Sequence, residues 1–208
     1  MGKTEESYYQ SLYEVAAALN SARAAEGVLQ SIVENVAKAV EAKACSLMLL
    51  KPDKKTLVHT VAFGLSDWYV KKGPVSVDKS ISESLEGKPV AVVDATKDER
   101  IQYREQAKKE GIASVLSVPM MLREEIIGVV RVYTAEPRHF TMDDIYFVGA
   151  VANLGAIALE NAKLYETLKK DYETFRRDML EHHPLRDWYC IWYFNYALGG
   201  VTANVDIQ

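Results

Sequence analysis

Residues 113–134 read ASVLSVPMMLREEIIGVVRVYT. Two apolar runs rich in β-branched residues flank the polar residues Arg123, Glu124 and Glu125. Each run has the length of a buried strand, so the stretch predicts an antiparallel hairpin. Pro137 then breaks the second strand. Thr141 stands where a helix N-cap belongs, and Asp143 and Asp144 fall in the first turn, where the helix dipole favours negative charge. A helix is predicted from about Met142 with no proline inside it. Gly149, Gly155 and the alanines around them leave room for close packing on a sheet.

That helix continues past the length a core needs. Tyr165, Leu168, Tyr172, Phe175 and Met179 follow one another at 3-4-3-4 spacing, the seam of a coiled coil. With Tyr165 at position a, Asp171 and Arg176 take g and e positions that meet across a parallel dimer. The alternative is a solvated charged helix that carries aromatics, since about two heptads are short for stability alone.

Composition sets the bounds. The 208 residues suit one domain with extensions, and the net charge of −4 offers no basic nucleic-acid surface. No apolar run in the sequence reads as a membrane span, and the polar start MGKTEESYYQ lacks a signal-peptide core. Cys45 and Cys190 form no spaced pattern, which fits a reducing cytoplasm.

In chain order, residues 5–20 predict a helix with Tyr8, Leu12, Val15 and Leu19 in one stripe, read as a second dimer seam. Residues 25–42 predict another helix, with Val28, Leu29, Ile32, Val36 and Val40 inward. Residues 44–50 and 56–63 form a hairpin around the turn Pro52-Asp53-Lys54-Lys55, ended by Gly64. Short helices are expected near 65–69 and 78–85, with Gly73-Pro74 between them. A short strand at 88–93 and a helix at 99–110 lead to the hairpin. An antiparallel sheet with helices on one face is the natural packing of this α+β order.

From about Leu12 to Tyr165 the chain resembles a GAF domain. Residues 93–100 (VDATKDER) look like that family's aspartate loop. Residues 110–116 (EGIASVL) with Val118-Pro119 resemble its fourth strand, and Ile127-Gly128-Val129-Val130 the start of its last. Phe140-Thr141 with Asp144, and then residues 156–162 (AIALENA), resemble its last helix. The resemblance implies a GAF-like, PAS-related antiparallel sheet with its first and last strands central. It implies helices on one face and a ligand pocket on the other, roofed by residues 64–110. It also implies dimers built from the first and last helices, and a role as a regulatory input domain.

The family's chemical kinds can be tested residue by residue. Bilin attachment needs an accessible cysteine, commonly beside a histidine; Cys45 lies in a predicted core strand, where a small buried residue is the plainer reading. Cyclic-nucleotide members carry an Asn-Lys pair that residues 133–139 lack, and Ile145 stands where they have glutamate, although Phe140 and Asp144 match. Methionine sulfoxide reductase members need several thiols. Haem or iron would need ligands in the pocket, and His59 and His139 are isolated. No zinc spacing or phosphate loop is present. No cofactor, no metal and no catalytic residue are therefore expected.

Arg131 stands out. Strand alternation puts Val130 and Val132 on one face and Val129, Arg131 and Tyr133 on the other. By the resemblance, the second face lines the pocket. A guanidinium there needs a carboxylate or phosphate partner, from an anionic ligand or from within, with Asp94 the internal choice. Ser117, Phe63, Trp68 and Tyr103 complete the pocket candidates, each with ordinary core packing as the alternative.

The predicted organisation is a dimerisation helix at 1–20, a GAF domain at 21–164, a coiled-coil extension at 165–181 and an aromatic tail at 182–208. The tail follows Leu-Glu-His-His like a purification tag run out of frame, or else it is a natural partner-binding segment. The expected function is a non-enzymatic, cytoplasmic, homodimeric sensor of a small molecule, acting on a signalling partner in trans. The alternatives are a structural dimerisation module with a vestigial pocket and, disfavoured by its thiols, a sulfoxide reductase.

Overall fold

A computed structural model describes residues 3–20, 25–77 and 82–181. The chain divides between Lys163 and Leu164 into two units. The first holds α1 (Lys3–Asn20), α2 (Ala25–Ala39), β1 (Ala44–Leu50), β2 (Thr56–Phe63), α3 (Asp67–Val70), β3 (Val75–Ser76), a 3-10 turn (Ser82–Glu86), β4 (Val90–Val92), α4 (Arg104–Glu110), β5 (Ser114–Leu122), β6 (Glu125–Thr134) and the first part of α5 (Met142–Glu181). The sheet order is β3-β2-β1-β6-β5-β4, and every paired neighbour is antiparallel. The first long strand and the last are central, as the resemblance implies.

The alternation of the strands sorts the core into two layers. Cys45, Leu47, Leu116, Val118, Met120, Val130 and Val132 meet Leu29, Ile32 and Val36 of α2 and Val148, Val151, Ala152 and Ala156 of α5. Each large aliphatic group buried there stabilises by about 1.5–3 kcal/mol relative to exposure. Ala44, Val90, Val92, Val115 and Tyr133 face the other way, under Tyr69, Ala95, Ile101, Ala107 and Ile112. The small residues matter at one close approach: a Cβ on Gly128 would lie 2.3 Å from the Met48 carbonyl oxygen. Gly155 likewise lets α5 settle on Ile32 and Met120, whereas Gly149 has only Val118, at 3.8 Å.

Several expectations change. The stripe Tyr8, Leu12, Val15 and Leu19 of α1 packs into the chain's own core, with Val15 fully buried. Tyr8 and Val15 are buried within the chain, Leu12 and Leu19 are partly buried against the same core, and the outward face of α1 carries Tyr9 and Tyr13. Helix α2 ends at Ala39 because Glu41 takes a positive φ and Ala42 N–H returns to the Ala37 carbonyl. Helix α4 starts at Arg104, since Asp98 holds the preceding residues in a turn through Arg100 N–H. The short edge strand β3 was not foreseen.

Among the described residues one helix, α5, is long and apolar enough to cross a membrane by length and composition, with a mean hydropathy of 1.4 over its best window. Val148, Val151, Ala152, Ala156 and Ala158 on one side of it are buried on the sheet, as in the core helix of a globular domain, while Ile157 is exposed. In the second unit Leu164, Tyr165, Leu168, Tyr172 and Phe175 are each 61–70% exposed. The side chain of Met179 and the whole of the predicted tail, 182–208, lie outside the described residues.

Candidate functional site

A polar row crosses the middle of the sheet. Ser46 on β1 pairs with Arg131 on β6, Arg131 with Ser117 on β5, and Ser117 with Val90 on β4. Their strand neighbours all face the helices, so this row faces the other layer. Ser46 and Ser117 are fully buried and Arg131 is 6% exposed. The Ser117 hydroxyl is buried with no hydrogen-bond partner. Tyr133, two residues on, shares a 3.0 Å hydrogen bond with Ser46 Oγ. Burial pulls the Arg131 pKa below its ordinary value, while the hydroxyls of Tyr133 and Tyr69 and a hydrogen bond with Tyr133 oppose this. An arginine stays charged through such a shift.

The roof is built by the segment after β2. Helix α3 presents Tyr69 inward, edge-on to Tyr133 at 6.2 Å. Ser66 fastens α3 to α4: its N–H donates to Glu110 Oε1 at 2.8 Å, and its hydroxyl donates to Glu110 Oε2. Lys72 then turns back under the roof. Its Nζ lies 3.7 Å from the Tyr69 ring centroid, donates to the Tyr69 carbonyl at 3.0 Å and stands 3.2 Å from His59 Nε2. Burial first, and then repulsion from Arg131, draw the Lys72 pKa down to about 7 against the pull of Glu110. Burial, with repulsion from Lys72 and Arg131, lowers His59 to about 3, so its ring is neutral beside Lys72. Lys72 also lines a surface depression of about 380 Å³ with Trp68, Glu105, Gln106 and Lys109.

The sequence candidates distribute as follows. Arg131, Tyr133 and Ser117 lie together on the roofed face. Tyr103 is in the roof, its hydroxyl donating to the Pro74 carbonyl at 2.9 Å. Trp68 is 39% exposed on the outside of the roof, edge-on to Tyr69, with Lys109 Nζ 4.7 Å from its ring. Phe63 is a correction: it pairs with Cys45 and packs in the helix-side core, because both residues share the opposite face. Asp94 as the Arg131 partner is another. It accepts from Thr96 N–H and Thr96 Oγ at 3.0 and 2.6 Å and pairs with Lys97, which holds its pKa at about 2 in a half-exposed turn. Sequence reading missed Lys72, Tyr69 and Ser46, and set His59 aside as an isolated histidine. Alternation along β1 could have found Ser46 and placed it beside Arg131.

A second polar node joins the helices. Asp144 is 1% exposed. Tyr8 of α1 and Arg138 of the β6–α5 connection donate to its Oδ1 at 2.6 and 2.8 Å. Thr141 N–H and Thr141 Oγ donate to Oδ2 at 2.7 and 2.8 Å. Burial works against the charged carboxylate, but these donors and the Arg138 charge outweigh it and hold the pKa below the ordinary range. Arg138 also donates from its backbone N–H to Ser114 Oγ, which donates in turn to the Val93 carbonyl beside the Asp94 turn. Among the described residues no three His, Cys, Asp or Glu side chains gather as metal ligands.

The GAF domain model matches residues 24–159. The methyl sulfide methyltransferase-associated sensor of Methanosarcina acetivorans is 27% identical over 139 residues, which are 64% of this chain and only 14% of that protein. Among solved structures, the GAF domain of a phosphoenolpyruvate-protein phosphotransferase from Coxiella burnetii superposes with a TM-score of 0.70 at 20% identity, covering 80% of this chain and 99% of that one. Free methionine-R-sulfoxide reductase from Neisseria meningitidis, with its substrate, superposes at 0.64 and 15% identity, covering 79% and 95%. At these identities the two structural likenesses speak to the fold alone.

Proposed function

The chain belongs to the GAF domain family, and on that footing we propose that it is a non-enzymatic sensory module that binds a small molecule under the roof and passes its state to α1 and α5 in a homodimer. The observation that carries this reading is the buried row Ser46–Arg131–Ser117. A core that needed only stability would fill these central positions with apolar groups, since burying charge costs several kcal/mol per ion. The name of the Methanosarcina relative, a sensor, agrees with it. Against an enzyme of the sulfoxide reductase kind, Cys45 is fully buried and burial pushes its thiol far above the range of a reactive thiolate.

Transmission would use the Asp144 node, which ties α1 and the start of α5 to the strand beneath the Asp94 turn. A ligand shifts such an arrangement only if it binds two states with different affinity. The exposed apolar residues of α5 from Leu164 to Phe175 supply the homodimer surface, and the output partner acts in trans or in a longer chain. The alternative of a plain dimerisation module draws on the Tyr69–Tyr133 contact, which fills part of the roofed face. Native mass spectrometry of the purified protein tests both. A dimer carrying an extra non-covalent mass, lost in Arg131→Ala, supports the sensor. A dimer that gains no mass from any metabolite pool supports the scaffold.

A further inference from the structure

Lys72 is a half-buried cation with no carboxylate in ion-pair contact among the described residues. Its close contacts are dipoles and π faces: the Tyr69 carbonyl, the His59 ring and the rings of Tyr69 and Tyr103. None carries a full negative charge. Among the ion pairs of the described residues, none includes Lys72. The one acid that acts on it, Glu110, spends both carboxylate oxygens on Ser66. Arg131 repels it from the sheet below. Two cations held together in a partly dry space raise each other's cost, and an anion between them removes that cost. Ser117, in register with Arg131, adds an unspent hydroxyl at the same level of the sheet. The depression beside Trp68 and Lys109 leaves Lys72 open to solvent.

We infer that the roofed face takes a small oxyanion, a carboxylate or a sulfate- or phosphate-like group, with Lys72 as its recruiting residue and Arg131 and Ser117 behind it, and that binding is coupled to protonation of Lys72. This rests on the sensor reading and names its ligand class. The groups around Lys72 are His59 from β2, Arg131 from β6, Tyr69 from α3 with Tyr133 behind it, Tyr103 before α4, and Glu105, Lys109 and Glu110 of α4, the first two of these lining the depression beside it. Of these, His59 is neutral at pH 6–8, and the tyrosines Tyr69 and Tyr133 are pushed upward by burial, so Lys72 is the group that changes charge near neutrality. A bound anion favours the ammonium form, so each anion brings a fraction of a proton with it, and affinity falls as the pH rises past 7.

Sulfate does not titrate between pH 6 and 8, so it carries the pH test; succinate, whose second carboxyl is still partly protonated at pH 6, is the carboxylate probe and its proton uptake is compared at pH 7 and above. Calorimetric titration of the intact chain, in buffers of different ionisation heat, reads affinity and proton uptake together. The expected result is saturable binding at pH 6 that weakens by about tenfold at pH 8, with proton uptake at the higher pH. Lys72→Met should lose at least tenfold in affinity. Lys72→Arg should keep binding but show no proton uptake and a flat pH profile. Sulfate and succinate both binding marks a general oxyanion site; succinate alone marks a carboxylate site. Equal affinity in Lys72→Met, a pH-independent wild type, or no binding of either probe at pH 6 overturns the inference. The sensor reading then survives if native mass spectrometry still finds a neutral molecule on the protein.

Discussion

The Tyr8 hydroxyl donates to Asp144 Oδ1 at 2.6 Å, across 136 residues of sequence, while its ring stacks on Phe147 at 4.4 Å. The stack and the hydrogen bond are separable. Tyr8→Phe keeps the stack and removes a bond to a charged acceptor, for a cost of about 1.5–3 kcal/mol. Asp144→Asn weakens the contacts of Tyr8, Thr141 and Arg138 together and should cost about 3 kcal/mol or more. Because the folded pKa of Asp144 is depressed, its contribution is present above the unfolded carboxylate pKa and is lost as pH falls through the folded value. Urea unfolding of the variants at pH 7 and pH 3 should therefore show the Asp144→Asn deficit shrinking in acid. A deficit no larger than that of Tyr8→Phe would mean that Asp144 is not the centre of the node.

His59 predicts a second acid sensitivity. Its pKa is lowered to about 3 from an ordinary 6.5, by burial and by Lys72 and Arg131. The unfolded chain takes up a proton that the folded chain refuses, so stability is lost as pH falls from about 6.5 towards 3. After allowance for partial solvent access the loss is of order 2 kcal/mol at pH 4. Replacement by a residue that cannot titrate, His59→Gln, should flatten the stability profile over that window. If both proteins lose stability in parallel between pH 6.5 and 4, the ring is not refusing the proton.

The two glycines of α5 looked alike in sequence and differ in the fold. A Cβ on Gly155 would press on Ile32 at 3.3 Å and Met120 at 3.4 Å, while one on Gly149 would meet only Val118 at 3.8 Å. Gly149→Ala should therefore collect the helix-propensity gain of about 0.5–1 kcal/mol, and Gly155→Ala should not. Thermal unfolding midpoints of the two variants check this. Equal gains would show that α5 has no close approach at Gly155.

Periodicity made the fold legible where elements were long. The alternation through Val129, Val130, Arg131, Val132 and Tyr133 placed both layers of β6 correctly. It failed where local bonds set the ends. The positive φ of Glu41 and the turn at Asp98 are made by particular backbone hydrogen bonds that apolar spacing does not encode. The site was half legible for the same reason. Arg131 announces itself as a charge inside an apolar strand, but Lys72 sits in the pair Lys71-Lys72, and sequence alone does not say which lysine turns inward. The α1 stripe shows the opposite hazard. Its 4-3-4 spacing is equally good for a dimer seam and for an intrachain core, and the core took it.

The exposed side chains of the second unit give the last prediction. Tyr165, Leu168, Tyr172 and Phe175 are each at least 63% exposed at heptad spacing. Apolar groups in that pattern gain only by meeting a partner, and a seam of a few turns is too short to hold a helix pair by itself. A dimer held by this seam would need further contacts, and Tyr9 and Tyr13 of the first unit are separately exposed on α1. Leu168→Lys with Phe175→Lys should raise the dimer dissociation constant by at least tenfold in analytical ultracentrifugation and leave the near-ultraviolet signature of the first unit unchanged. Tyr13→Lys should weaken the dimer too if α1 shares the interface. A dimer unmoved by the α5 pair would place association elsewhere and would leave those aromatics as the docking face for a different helix.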